Sequence, residues 1–232
     1  MLAYAHSGVP WMFDDDGYQY LIDTGTPRSF VIPPVARQGD DVFLTEVVEG
    51  WDVNGLGADA EVVVTYDLPP AILPMMDPTF GGIMAADVLS RQPFMLDPLR
   101  SRFVLDDDGR FDEWLSETDD AVRVPVTIAG GGTTCMHVDR CFEHDGHRVL
   151  VDVLVDGEPV VALLDTASTY TTMGRGLLER LGQAEGRPHV VVSRFWDSWD
   201  FVRLEELAVG GARLADVPVR VNPALDTAFA RL

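Results

Sequence analysis

Short apolar runs rich in Val and Leu, separated by turn residues, repeat along the whole chain. Runs such as Val62–Val64 and Val149–Val151 have the length and composition of buried strands. Gly and Pro, at 21 and 15 residues, are frequent enough to supply the turns between strands. Helical segments are sparse, and we expect short helices at Ala86–Arg91 and Gly176–Leu181, the second ended by Gly182. The pattern predicts a mainly β protein with few short helices.

One strand-and-turn pattern occurs twice. Tyr20–Thr26 and Ala162–Ser168 are both apolar strands that run into Asp-Thr, a small residue and a hydroxyl residue. A hairpin turn is predicted before each of them, at Asp14–Gly17 and at Asp156–Glu158. An internal repeat of this kind indicates two related lobes.

The stretch between the two copies is very acidic. It runs from Asp106 to Asp120 and contains Trp114 and Leu115, so we expect a short helix there that packs against the body of the protein. The predicted organisation is an N-terminal lobe at 1–112, an acidic connection at 113–125 and a C-terminal lobe at 126–232.

The two aspartates of the repeat, Asp23 and Asp165, each follow a buried apolar strand. A carboxyl group there is costly unless hydrogen bonds satisfy it. In each copy the hydroxyl three positions later can donate to the carboxylate, and the small residue lets a backbone N–H approach. The Thr directly after each aspartate can bond across to the other copy. The supporting residues are Thr24, Gly25 and Thr26 in the first copy and Thr166, Ala167 and Ser168 in the second.

Two such loops that meet at a pseudo-twofold axis would hold their carboxyl groups side by side. Close carboxyl groups do not both ionise readily, so one of them retains a proton. The ionised group would take a proton from a water that attacks a peptide carbonyl, while the protonated group polarises the carbonyl oxygen. This chemistry requires no metal and no cofactor. Asp23 and Asp165 are therefore the predicted catalytic pair of a peptide hydrolase.

These motifs resemble the pepsin-like and retroviral-type aspartic proteases, especially bacterial single-chain relatives of the retroviral type. Leu21–Thr26 matches the family's apolar-apolar-Asp-Thr-Gly-Thr/Ser motif, and Leu163–Ser168 matches it with Ala in place of Gly. Gly82–Leu89, followed by Phe94–Asp97 and Arg102–Leu105, is similar to the family's apolar strand, short helix and closing hairpin. The resemblance implies a two-lobed aspartic-protease-like β-barrel fold and an aspartic endopeptidase activity.

The same resemblance implies a β-hairpin flap over the cleft. We expect it within Phe43–Val62 in the first half and within Val190–Val202 in the second. For any single aromatic residue in these stretches, ordinary packing is the simpler explanation. The expected flap and substrate-binding residues are Trp51, Asn54, Gly55, Leu56, Gly57, Phe195, Trp196 and Trp199.

The chain departs from the family pattern in two ways. Ala167 replaces the Gly of the second motif, and Ala85 replaces the Gly of the downstream strand. The sequence also ends too soon after Asp165 to hold a second copy of the segment around Asp87, so we expect either that the chain has been cut or that the second lobe is incomplete. These departures motivate an alternative function, a catalytically weak or inactive protease-like module that binds peptides. A third hypothesis is assembly with another chain through an unpaired strand edge of the second lobe.

Cys135 and Cys141 lie in a segment that also contains His137, His144 and His147. The cysteine spacing permits a small disulfide loop, which would imply an oxidising compartment. We favour the disulfide over free thiols and place zinc third, because the spacing matches no zinc motif; no metal site is therefore predicted. The disulfide implies an exported or cell-envelope protein whose leader is absent from this sequence, and a cytoplasmic location is the alternative.

The net charge of −21, from 38 acidic and 17 basic residues, limits the possible partners. A nucleic-acid partner is disfavoured because phosphate binding needs a basic face. An anionic membrane surface is disfavoured for the same reason, and no apolar run has the length of a membrane span. The resemblance implies a peptide or protein substrate, and the oligomeric state stays open.

Overall fold

The computed structural model describes residues 2–4, 9–31, 45–49, 61–65, 79–91, 93–97, 102–106, 109, 111–116, 122, 124–137, 140–182, 190–194, 197–223 and 225–228. These residues form a mainly β structure with short helices, as the sequence pattern predicts. The strands are β1 (Leu2–Tyr4), β2 (Pro10–Phe13), β3 (Gln19–Asp23), β4 (Phe30–Val31), β5 (Thr45–Glu49), β6 (Glu61–Thr65), β7 (Phe80–Ala85), β8 (Phe94–Asp97), β9 (Arg102–Leu105), β10 (Val126–His137), β11 (Arg140–Val155), β12 (Glu158–Leu163), β13 (Thr172–Met173), β14 (Val190–Arg194), β15 (Asp197–Val209) and β16 (Ala212–Val221). The helices are α1 (Ala86–Leu89), α2 (Phe111–Ser116), α3 (Arg175–Arg180) and α4 (Leu225–Ala228).

The first sheet has the strand order β1-β2-β3-β7-β4-β6-β5. Its third strand, β3, pairs antiparallel with β2 and parallel with β7. Ile22 on β3 and Met84 on β7 are both 0% exposed, so the core of this sheet lies where the two strands meet. Asp23 is the last residue of β3 and therefore lies at the end of a strand in this core.

The second sheet has the order β10-β11-β15-β16-β13, with β12 paired to β11 and β14 paired to β15. Its core contains Val155, Leu178, Val202 and Val219, each at most 2% exposed. Strands β8 and β9 form a separate hairpin, where the sequence predicts the closing hairpin of the first lobe.

The expected β-barrel needs a correction. Within the described residues neither sheet closes, because the strands at the two ends of each order do not pair with each other. A barrel requires that pairing to remove its edges. The described residues therefore form a mainly β fold whose sheets are open.

The chain divides into two compact units. The first comprises Met1–Ala121, Thr127–Leu150 and Leu163–Ala167, and the second comprises Val122–Val126, Val151–Ala162 and Ser168–Leu232. Both Asp-Thr loops therefore belong to the first unit. The boundaries of these two units differ from the boundaries of the predicted lobes. The lobes remain a prediction about domain organisation.

Local sequence explains the turns that lead to the two loops. Asp14 accepts hydrogen bonds from the backbone N–H of Tyr18 at its side chain, 2.8 Å, and of Gly17 at its carbonyl, 3.2 Å. Asp156 and Gly157 have φ angles of 50° and 89°, and a type I′ hairpin turn needs a positive φ at both central positions.

Among the described helices, none is long and apolar enough to cross a bilayer.

Candidate active site

Asp23 is buried, at 8% exposed, at the end of β3. Its Oδ1 atom accepts the backbone N–H of Gly25 at 2.8 Å and of Thr26 at 3.0 Å, and its Oδ2 atom accepts the Thr26 hydroxyl at 2.7 Å. Donors aimed at both oxygens offset the cost of removing a carboxyl group from water. The loop that follows β3 thereby holds the carboxyl group in one orientation.

Asp165 follows β12 and is exposed. Its Oδ1 atom accepts the backbone N–H of Ala167 at 2.9 Å, which matches the bond between Gly25 and Asp23. The hydroxyl of Ser168, at the position that matches Thr26, donates to the carbonyl of Tyr170 at 2.8 Å. Since a hydroxyl has a single hydrogen to donate, the expected donation from Ser168 to Asp165 is replaced by a bond within its own turn.

The two loops are joined through reciprocal hydrogen bonds of their threonines. The backbone N–H of Thr24 donates to Thr166 Oγ1, and the backbone N–H of Thr166 donates to Thr24 Oγ1, both at 3.1 Å. Each hydroxyl then donates at 2.7 Å to the carbonyl before the other aspartate, Thr24 to Leu164 and Thr166 to Ile22. The four bonds have local twofold symmetry, and they connect residues 140 to 144 positions apart.

Gly25 lies against the carboxyl group of Asp165. A Cβ atom built on Gly25 would lie 2.8 Å from both the Cβ and the Oδ2 atoms of Asp165, and closer still to its Cγ atom. The N–H of the same glycine donates to Asp23. One residue is therefore in contact with both carboxyl groups, and only glycine leaves room for the second.

The first loop is tied to β7 and α1 by a buried hydrogen-bond cluster that the sequence reasoning did not predict. Asp87 Oδ1 accepts the N–H of Ser29 at 2.8 Å, its hydroxyl at 2.6 Å and the N–H of Val88 at 2.9 Å. The N–H of Ala85 donates to Ser29 Oγ at 2.8 Å. Burial raises the pKa of the Asp87 carboxyl, against the hydrogen bonds from Ser29 and Val88 and the charge of Arg28, which lower it.

Strand β11 contacts both loops within three residues. The N–H of His147 donates to the carbonyl of Pro27 in the first loop at 3.0 Å, and the carbonyl of Val149 accepts the N–H of Leu164 before the second aspartate at 2.8 Å. The ring of His147 also forms a 2.6 Å hydrogen bond with the hydroxyl of Ser90, the residue that follows α1. His147 is thus a structural histidine beside the site. The sequence could not predict the contact of His147 with Pro27, because that contact uses the backbone N–H and not the imidazole.

Several predicted site residues lie outside the described residues. Strands β5 and β6 pair antiparallel; β5 lies within the range predicted for the first flap, and β6 begins at the end of that range. Within the second predicted flap, Phe201 is 5% exposed and packs edge-on against Tyr170, with the ring centroids 5.1 Å apart. This contact is ordinary core packing. The residues not described are Trp51, Asn54, Gly55, Leu56, Gly57, Phe195 and Trp196, together with the side chain of Trp199.

The cysteine prediction stays open. Cys135 lies on β10 and Cys141 on β11, but their side chains fall outside the described part of the chain. Among the side chains that are described, no group of three His, Cys, Asp or Glu residues is arranged to hold a metal ion.

Comparison with known families adds to this geometry. Residues 151–229 match the model of a family described as aspartyl protease. The match confirms the resemblance to aspartic proteases for the part of the chain that contains the second motif. The aspartyl protease match includes the second Asp-Thr loop, whereas the first loop lies outside it. No curated protein matches the sequence.

A retropepsin-like aspartic protease from Rickettsia conorii is similar in structure, at 13% sequence identity over 44% of this chain and 68% of that one. The TM-score is 0.29, so the two backbones coincide poorly as whole molecules. The case for an aspartyl protease site therefore depends on the family match and on the local geometry of the loops.

Proposed function

We propose that the protein is an aspartic-type peptide hydrolase in which Asp23 and Asp165 form the catalytic pair. The observation that carries the proposal is the reciprocal hydrogen bonding of Thr24 and Thr166, which joins two strand-end Asp-Thr loops from distant parts of the sequence. The contact between Gly25 and the Asp165 carboxyl group supports it, because the same glycine donates to Asp23.

In the proposed reaction the two carboxyl groups share one proton and bind the attacking water. The carboxylate accepts a proton from the water as the water oxygen attacks the peptide carbonyl carbon, and the protonated carboxyl group donates to the carbonyl oxygen. When the tetrahedral intermediate collapses, the C–N bond breaks and the leaving nitrogen takes the proton from the carboxyl group that received it from the water. One hydroxyl of the intermediate gives its proton to the other carboxylate, so the pair again shares one proton. The products are a new carboxylic acid and a new amine.

The neighbouring residues have positioning roles in this proposal. Thr26 and the backbone N–H groups hold the Asp23 carboxyl group, and the Ala167 N–H holds that of Asp165. Thr24 and Thr166 fix the separation of the two loops. Small displacements of reacting groups are costly in rate, so these bonds matter even though they do not touch the substrate.

The test compares wild type with Asp23→Asn and Asp165→Asn on an unfolded protein substrate at mildly acid pH, with new peptide termini detected by mass spectrometry. We expect cleavage by wild type and a loss of about a thousandfold or more in each variant. Asp15→Asn, the same change at an exposed turn residue, should retain full activity. Equal or undetectable turnover in wild type and Asp23→Asn would remove the proposed activity.

A second candidate function is peptide binding without cleavage. It is favoured by the exposure of Asp165 and by Ala167, which stands where the family motif has Gly. Under this alternative, peptide substrates would bind with the same affinity to wild type, Asp23→Asn and Asp165→Asn, and none of the three would cleave them.

A further inference from the structure

The residue that holds the Asp23 carboxyl group is itself held by helix α1. Thr26 donates its backbone N–H and its hydroxyl to Asp23, at 3.0 Å and 2.7 Å. The carbonyl of Thr26 accepts the N–H of Ala86, the first residue of α1, at 3.0 Å. Thr26 is therefore bonded both to the acid and to the helix. A displacement of α1 would move the donors of the acid with it.

The next residue of α1 makes a second attachment, three positions further along the loop. Asp87 Oδ1 accepts the N–H of Ser29 at 2.8 Å and its hydroxyl at 2.6 Å. The oxygen of that hydroxyl accepts the N–H of Ala85 at 2.8 Å. Because Ser29 is 0% exposed and Asp87 is 9% exposed, water has little access to replace these bonds when one of them is lost.

The two attachments lie at the ends of a run of four residues, Thr26–Ser29. Between them, the carbonyl of Pro27 accepts the N–H of His147 on β11 at 3.0 Å. Helix α1 and strand β11 thus hold the run at three of its four residues, and all these residues belong to the first compact unit. A run held at three points leaves its neighbour Asp23 little freedom to reorient, and a reacting group needs such restriction.

The role of Asp87 depends on an oxygen atom and not on its charge. Burial raises the pKa of its carboxyl group, so the ionised form is costly at this position. Its Oδ1 atom accepts three donors that converge on one point, two from Ser29 and the N–H of Val88 at 2.9 Å. No apolar side chain can accept them, whereas the amide oxygen of an asparagine can. Position 87 therefore supplies an acceptor that fixes where Ser29 lies.

We propose that Asp87 is a positioning residue of the active site: with its neighbour Ala86 it holds the loop that orients the Asp23 carboxyl group. Its contribution affects the rate of the chemical step and not the affinity for substrate, because its buried side chain is not available to a substrate. The kinetic consequence rests on the proposed hydrolase function, whereas the orientation of Asp23 by α1 does not.

The kinetic test measures kcat and KM on a peptide that contains a bond cleaved by wild type. Asp87→Ala removes the acceptor, and Asp87→Asn keeps an oxygen at the same place. Ser29→Ala removes the hydroxyl but keeps the N–H, so it tests the proposal even where Asp87→Ala does not fold. The matched control is Asp226→Ala, which removes an exposed carboxylate that accepts the N–H of Gly176 at 3.0 Å.

We expect kcat to fall by about thirtyfold or more in Asp87→Ala and by about tenfold in Ser29→Ala, with KM within about twofold of wild type. Asp87→Asn and Asp226→Ala should keep kcat within about threefold of wild type. Thermal unfolding identifies a temperature at which every variant compared is folded. An unchanged kcat in both Asp87→Ala and Ser29→Ala, or a loss that appears in KM alone, would overturn the proposal.

A second measurement reports on the loop without turnover. In amide NMR spectra, the protons of Gly25 and Thr26 are deshielded by their bonds to Asp23, so they should move upfield in Asp87→Ala and keep their wild-type shifts in Asp87→Asn. The amide of Gly17, in the turn before β3, should not move. A wild type that cleaves nothing would remove the hydrolase proposal, and these shifts would then decide the positioning role alone. Unmoved Gly25 and Thr26 amides in Asp87→Ala would disprove it.

Discussion

The strands before Asp23 and Asp165 have the same sequence pattern but different surroundings. Ile22 is 0% exposed, whereas Leu164 at the matching position is 44% exposed. Asp23 is buried and Asp165 is exposed. In the first copy, β7 lies alongside β3, and α1 is bonded to the loop through Ala86, whose N–H donates to the Thr26 carbonyl at 3.0 Å. Burial in this fold thus comes from elements outside the repeated motif.

The bonds inside the motif are more alike than the surroundings. In each copy the N–H two positions after the aspartate donates to its Oδ1 atom, at 2.8 Å from Gly25 and at 2.9 Å from Ala167. The copies diverge one residue later, where Thr26 bonds to its aspartate and Ser168 bonds to Tyr170. The difference between the copies therefore begins at the end of the loop.

Removal of the Asp87 side chain should have the largest effect on stability. Asp87→Ala leaves two donors of Ser29 and the N–H of Val88 without this buried acceptor, and we expect a loss of about 3 kcal/mol in the free energy of unfolding. Asp226 accepts the N–H of Gly176 at 3.0 Å from an exposed position, so Asp226→Ala should cost about 1 kcal/mol or less. Urea unfolding measures both. Equal losses of stability would contradict the expected difference between the buried carboxylate of Asp87 and the exposed carboxylate of Asp226.

Removal of one threonine hydroxyl should destabilise the junction of the loops to a lesser extent. Thr24→Val loses the donor to Leu164 and the acceptor for the Thr166 N–H, and we expect a cost of about 2 kcal/mol. Thr166→Val should cost a similar amount because the bonds are reciprocal. Thr24→Ser keeps the hydroxyl and is the control.

The double variant of the two threonines sharpens this prediction. Because Thr24 and Thr166 share hydrogen bonds, the double valine variant should lose less stability than the sum of the two single losses. Strict additivity in urea unfolding would show that the threonines act independently.

A methyl group should destabilise the protein at position 25 and stabilise it slightly at position 167. Gly25→Ala forces the Asp165 side chain to shift, at a cost of about 1–2 kcal/mol. Ala167→Gly only adds freedom to the backbone and should cost less than about 1 kcal/mol. Thermal unfolding compares the two. If Gly25→Ala proved neutral, the close contact between Gly25 and Asp165 would be disproved.

The smallest expected effect is a change in pH dependence. Burial raises the pKa of Asp87 in the folded protein, so its contribution to stability is fully present below the usual Asp pKa of about 3.9 and is lost as the pH rises through the raised pKa. Asp87→Asn keeps an oxygen acceptor and cannot ionise, so its stability relative to wild type should increase as the pH rises. Urea unfolding from about pH 4 to about pH 7 measures this slope. A stability difference between Asp87→Asn and wild type that stays constant across this pH range would contradict the prediction.

Local features were predictable from the sequence because short-range chemistry determines them. Runs of Val predict the strands that contain Val62–Val64 and Val149–Val151. A hydroxyl three residues after Asp23 lies within reach of its carboxyl group in a tight turn, and Thr26 makes that bond. The predicted helices at 86–91 and 176–181 occur at Ala86–Leu89 and Arg175–Arg180.

Contacts between distant segments were not predictable in the same way. Ser29 and Asp87 are 58 residues apart, and nothing in either local sequence indicates the other as its partner. The open form of both sheets, as far as the described strands show it, depends on which strands pair, and a pattern of single strands does not specify that. Ser168 was expected to behave as Thr26 does, but its hydroxyl donates to the Tyr170 carbonyl.

Strand β11 has a consequence for the spacing of the two acids. His147 and Val149 are attached to different loops, and two residues of extended backbone span about 7 Å. Because covalent geometry fixes the length of this stretch of backbone, it would keep the separation of the two loops constant even while side chains rotate. Lengthening this strand by one residue would turn the next backbone carbonyl to the opposite side and detach one loop, with no change to either aspartate.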